Sequence, residues 1–196
     1  MSLPDEPLLY LIGVNHAVQF KSAVTQMFPN GESEAVRTKC EAFKAHIAEM
    51  IDKLGIEILA EEFSEEVKRR PTARETAQID DEHFLAALAQ CNYDTVLEQF
   101  SKAKGIEHRF CDPECIEKQA LGIEVDPKKE TELDRDKRER VWLSRIADCK
   151  QRRVLFVCGD DHYNAFAQKL AAAGFTVQRG PRYQISKEEF HDFREP

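Results

Sequence analysis

Short apolar runs alternate along the chain with longer stretches in which apolar residues recur every three or four positions. Residues 8–14 (LLYLIGV) form an unbroken apolar run that ends at Asn15-His16. Over 33–54, Val36, Cys40, Phe43, Ile47, Met50, Ile51 and Leu54 share one face of a 3.6-residue period, which predicts a helix stopped by Gly55. Residues 56–60 are short and β-branched and lead into Glu61-Glu62. A further helix is expected over 80–103 from Phe84, Leu85, Leu88, Val96, Leu97 and Phe100, with Gly105 ending it. Strand character returns at 106–111 (IEHRFC), which runs into Asp112-Pro113. The clearest buried strand is 154–158 (VLFVC). A short helix over 164–173, closed by Gly174, and a last short strand at 175–178 follow it.

Strands alternating with helices predict an α/β domain with a mainly parallel central sheet flanked by helices, because a parallel crossover needs an intervening segment. At 196 residues one domain spanning 1–196 is expected, with 81–150 serving as a helical crossover region. Ligands of such sheets bind beyond the carboxyl ends of the strands, so a polar cleft is expected there.

Composition narrows the class. Apolar residues make up 42% and charged residues 33%, ordinary for a globular chain with a solvated surface. A net charge of -8 argues against a nucleic-acid partner, which calls for a basic patch. The opening MSLPDEPLLYLIGVNH has only a short apolar run and no basic region before it, so neither a secretory signal nor a membrane span is expected. The six cysteines, at 40, 91, 111, 115, 149 and 158, form no CxxC pair. Scattered thiols of this kind fit a reducing cytoplasm.

Four strand ends carry groups able to do chemistry: Asn15 and His16, then Glu61 and Glu62, then Asp112, then Asp160, Asp161 and His162. Singly, each has a plainer explanation. An acidic residue after a strand often caps a helix, as Asp160, Asp161 or Asp112 would do. In a parallel sheet, however, the four ends lie along one edge and their side chains converge. Imidazole with carboxylate suits zinc, manganese or iron(II), which would activate a bound water. A metal-free alternative uses one histidine as general base with a carboxylate orienting it. Spacing leaves both open. Cys158, near His162, is a conceivable nucleophile, but its apolar run favours an inert buried thiol. Neither a GxSxG elbow nor a glycine-rich phosphate loop is present.

The charge run KKETELDRDKRER, over 127–138 and just beyond, reads mostly as a solvated helical face with i to i+4 ion pairs. Arg138 is either part of that face or a charge-stabilising group in the cleft. Trp142 is expected in the core with Ile146, and His46 and His83 on solvent-facing helix surfaces. Gln19, Tyr163 and His108 are placed near the cleft or on the surface. His191, in the polar tail, has no assigned role.

The order of these groups resembles the superfamily of the TraB/PrgY proteins, the TIKI proteases, the ChaN-like haem-binding proteins and the erythromycin esterases. The carrying residues are Gly13-Val14-Asn15-His16, the segment ILAEEFS with Glu61 or Glu62, the helix segment RERVWLSRI with Arg138, Glu139 and Trp142, and VLFVCGDDHYNAFAQKLAAAGFTV with Gly159, His162 and Gly174. In the second segment Glu62 is favoured, because Phe63 resembles the apolar residue that usually follows. The resemblance implies an α/β fold with a polar cleft, while its members range from metal-dependent proteases and esterases to binders of haem or peptides.

The expected function is therefore hydrolysis of an ester, amide or phosphoester in a small-molecule or peptide substrate. His16, Glu62, His162 and Arg138 are its catalytic groups, and Asn15, Gln19, Glu61, Asp112, Asp161 and Tyr163 its substrate contacts. If a metal is used, His16, Glu62 and His162 are its ligands. The alternative is a binding or regulatory module for a small anion, a peptide or haem, with His16 or Tyr163 as the axial ligand for haem.

Overall fold

The computed structural model describes residues 6–15, 34–65, 94–126 and 129–184. Within them the strands β1 (Leu8–Val14), β2 (Ile58–Glu61), β3 (Glu107–Phe110), β4 (Arg153–Gly159) and β5 (Val177–Tyr183) form one sheet in the order β3-β2-β4-β1-β5. Every neighbouring pair is parallel. The helices are α1 (Glu34–Leu54), α2 (Val96–Lys104), α3 (Cys115–Ala120), α4 (Glu132–Arg145) and α5 (Tyr163–Ala172). The α/β reading of the sequence holds.

Alternation along the strands divides the core in two. Tyr10, Ile12, Val14, Leu59, Leu155 and Val157 meet Cys40, Phe43 and Ile47 of α1 and Val96 and Leu97 of α2. Leu9, Leu11, Ile58, Ala60, Val154, Phe156 and Cys158 meet Trp142 of α4 and Phe166 and Leu170 of α5 on the other face. The rings of Trp142, Phe156 and Phe166 interlock there, with centroids 4.8 to 6.1 Å apart. Burial of each such side chain contributes on the order of 1.5–3 kcal/mol. Strands with both faces covered read as the continuous apolar runs seen at 8–14 and 154–158.

This two-sided packing creates the crevice. The helices following β1 and β2 cover one face, and those following β3 and β4 cover the other. Strand β4 lies between β2 and β1, so its chain departs to the face opposite that of both neighbours. Adjacent chains diverging from the carboxyl edge leave a gap there.

Local details depart from the sequence reading where side-chain partners override pattern. The helix expected over 80–103 is broken at Thr95, whose extended backbone and hydroxyl, accepting from the Glu98 N–H, make the N-cap of α2. Its earlier part, with Phe84, Leu85 and Leu88, lies outside the described residues, as do Cys91, His83 and His191. Gly105 ends α2 at φ 67, a left-handed conformation that a Cβ disfavours. The last strand continues to Tyr183 because it pairs with β1 as far as Val14, that strand's last residue.

Asp160 and Asp161 do not cap α5. Its N-cap position is His162, which makes no side-chain cap bond, while Asp160 is tied to Arg182 and Gln184. Nor does Asp112 cap α3, which has a capping box between Glu114 and Glu117. His46 is not a solvent-facing residue, since its Nε2 lies 3.1 Å from the Tyr10 hydroxyl and its ring packs against Tyr183. Among the described residues, no helix is long and apolar enough to cross a membrane.

Candidate functional site

A cleft of about 590 Å³ opens at the carboxyl ends of β1, β2 and β4. The strands supply Asn15, Glu62, Asp160, Asp161 and His162 to its lining; α3 and α4 supply Lys118, Arg135 and Arg138. Gly13, near the end of β1, lets the start of α5 approach closely. A Cβ built there would lie 2.9 Å from Cδ2 of Tyr163.

The two adjacent glutamates part company because side chains alternate along β2. Ile58 and Ala60 face the α4/α5 side and Leu59 the α1/α2 side. Glu61 follows Leu59 and is fully buried, its Oε1 accepting from the Thr95 hydroxyl at 2.5 Å and pairing with His108 Nε2 at 2.7 Å. His108 is therefore a partner of Glu61, not a cleft or surface residue. Glu62 turns to the cleft, where its Oε2 accepts the Gly159 N–H at 2.6 Å and its Oε1 accepts from Arg138 Nη2 at 2.7 Å.

Arg138 faces inward from the charged helix. Its Nε donates to Asp112 Oδ1 at 2.8 Å, Nη1 to Glu130 Oε1 at 2.6 Å and Nη2 to Glu62. Three carboxylates from three separate segments are thus held by one planar fork, a task for which arginine geometry is suited. Asp112 also accepts from Trp142 Nε1 at 3.0 Å and pairs with Lys118 at 2.7 Å. Burial pushes the Asp112 carboxyl up, but the charges of Arg138 and Lys118 outweigh it and hold the group below its ordinary range. Asp112 lies beneath the cleft and anchors the arginine.

His162 sits between two carboxylates. Its Nδ1 is 2.8 Å from Glu139 Oε1 and its Nε2 is 3.4 Å from Glu62 Oε1. The imidazole is only 4% exposed and packs edge-on against Trp142 at 4.7 Å, which fixes the ring. Behind Glu139 stands Lys169, 2.5 Å from Oε2 and also 3.0 Å from Asp136. Burial raises the Glu139 carboxyl, yet its bonds to His162 and Lys169 bring it below the usual value. Glu139 is thus held as an anion. A proton on Nδ1 directed at it leaves Nε2 facing Oε1 of Glu62 at the cleft wall.

Of the other expected groups, Asn15 and Asp161 line the cleft, whereas Tyr163 is buried with its hydroxyl donating to Gly180 O at 2.7 Å. His16 and Gln19 lie outside the described residues. Cys158 is enclosed, and burial drives its thiol well above the ordinary value, so it has the character of a core residue. Among the described residues, no group of three His, Cys, Asp or Glu side chains stands ready for a metal. Glu62 and His162 are the two expected donors present, and the Glu62 oxygen nearest the imidazole already carries a guanidinium.

Glu139, named in the sequence only as part of the segment RERVWLSRI and given no role there, and Lys169, not singled out, complete the site. A signal for Glu139 does exist. Arg135, Arg138, Glu139, Trp142 and Ile146 fall at i, i+3, i+4, i+7 and i+11, so charged residues occupy the same helical face as a buried tryptophan. Charge at core-facing positions requires buried partners. Comparison of the chain with family models, with curated proteins and with solved structures finds no match.

Proposed function

We propose that the strand-end cleft is a hydrolytic site in which His162 is the general base and Glu139 the carboxylate that orients it. The observation carrying this reading is the Glu139–His162–Glu62 alignment, with His162 Nδ1 2.8 Å from one carboxylate and Nε2 3.4 Å from the other, where both His162 and Glu62 line the cleft. A water held at Nε2 would lose its proton to the imidazole as it attacks an ester, amide or phosphoester. The proton would then pass to the leaving group. Glu139 stabilises the imidazolium formed in between, and Glu62, fixed by Arg138 and the Gly159 N–H, lies within reach of the same charge. The substrate is a small molecule or peptide able to enter a cleft of about 590 Å³. The reading accords with the resemblance to the erythromycin esterase and TIKI superfamily, whose segments supply Glu62, Arg138 and His162.

A second reading adds a divalent metal held by His16, Glu62 and His162. It is favoured by the same hydrogen bond, because a carboxylate behind Nδ1 is the usual support of a metal-ligating imidazole. Zinc, manganese or iron(II) would there supply an activated water. Initial rates on chromogenic esters, amides and phosphoesters, measured with and without chelator alongside metal analysis, separate the two. Chelator-resistant turnover supports the histidine mechanism. Turnover lost with the metal supports the second reading, and no turnover on any substrate leaves a binding module.

A further inference from the structure

The cations and carboxylates at the cleft are linked in sequence as Lys118, Asp112, Arg138, Glu130 and Arg135. All but the last are well matched. Each nitrogen position of the Arg138 fork has a carboxylate within 2.8 Å. Arg135 pairs with Oε2 of Glu130, whose Oε1 is held by Arg138, and that ion pair spans 3.5 Å. The Arg135 Nε, the atom that makes this long ion pair, is shut off from water and forms no hydrogen bond. The side chain as a whole is 39% exposed and lines the cleft.

With Nε closed off, the exposed remainder of the guanidinium is what meets the cleft, and a ligand oxyanion would accept two parallel bonds from its terminal nitrogens. Asp160, on the opposite wall, is engaged by Arg182 and Gln184, and Glu62 by Arg138 and the Gly159 N–H. Neither presents its full charge to an anion entering the cleft. Asp161 is exposed and therefore screened by solvent.

We propose that Arg135 is the docking point for an oxyanion, a carboxylate or a phosphate, carried by the substrate. Arg135 precedes Glu139 by one turn of α4, an axial rise of about 6 Å. Since Glu139 holds the proposed base, the substrate presents its anionic group about one helical turn from the bond attacked. This substrate class rests on the hydrolytic reading above; the anion site itself does not.

Calorimetric titration of the full chain with inorganic phosphate and with glutarate tests it. Measurable binding of either is expected, with roughly tenfold or greater weakening in Arg135→Gln and partial recovery in Arg135→Lys. A preference between the two anions identifies which source the site takes. Circular dichroism confirms that each variant is folded. His162→Ala should keep the anion affinity while losing turnover, so failure of catalysis and failure of the anion site are told apart. No heat with either anion, or an unchanged affinity in Arg135→Gln, overturns the proposal.

Discussion

The Nδ1 of His162 lies 2.8 Å from Oε1 of Glu139, a contact between the turn after the fourth strand and a helix that reads in sequence as a solvated charge run. Through it a surface-like segment becomes part of the cleft. Lys169 and Asp136 extend the pairing outward, while Glu62 and Arg138 extend it inward.

Arg138→Met should destabilise the fold by about 3–5 kcal/mol, because Glu62, Asp112 and Glu130 would lose a shared cation in a mostly buried setting. Arg138→Lys should recover little of this, since one ammonium cannot span three carboxylates. Urea denaturation midpoints measure both. A loss within error of zero for Arg138→Met would remove the arginine from its organising role.

Stability should fall in acid. Asp112 and Glu139 have carboxyls held below their ordinary values of 3.8 and 4.5, so the unfolded chain binds their protons more readily than the folded one. Their contribution is full above the unfolded values and is lost as pH drops through the lowered, folded ones. Denaturation midpoints between pH 7 and pH 3 should decline chiefly below about pH 5. In an Asp112→Asn/Glu139→Gln variant the decline should be shallower; an identical slope would contradict this assignment.

Thiol reactivity should divide by burial. Burial pushes Cys111 up to about 12 and Cys149 up to about 11, and raises Cys158 well above the ordinary thiol value. Cys115 alone of the described cysteines is exposed. Brief alkylation of the native protein, followed by peptide mass spectrometry, should therefore modify Cys115 and leave Cys40, Cys111, Cys149 and Cys158 until denaturant is added. Early labelling of Cys158 would reopen the question of a cysteine nucleophile.

Gly13→Ala should cost about 1–3 kcal/mol, because its methyl group would press on the buried Tyr163 ring and on the Asp160 carboxylate. A shifted urea midpoint with unchanged slope is the expected signature.

How much of this could be read from the chain follows from which forces are local. The runs at 8–14 and 154–158 are apolar without a break because both faces of their strands are covered, so they are legible by inspection. Glu62 and His162 stand out by position at strand ends and Arg138 within the segment RERVWLSRI, and they meet at one cleft. Which of Glu61 and Glu62 faces it depends on strand phase, which two consecutive glutamates do not reveal. The caps were misread because Asp112 and Asp160 are drawn to cations distant in sequence. Pairing of Glu139 with Lys169 is similarly hidden: 30 residues separate them, and each alone looks like a surface charge.

The most direct test of the central claim is the hydrolytic rate, on whichever ester, amide or phosphoester is turned over fastest, for the unaltered chain, His162→Ala and Glu139→Gln. Loss of a positioned general base predicts a fall of roughly 10²–10⁴-fold for His162→Ala, with Glu139→Gln between that and the unaltered protein. Both variants should keep the circular dichroism of the parent. Full turnover in folded His162→Ala would contradict the account.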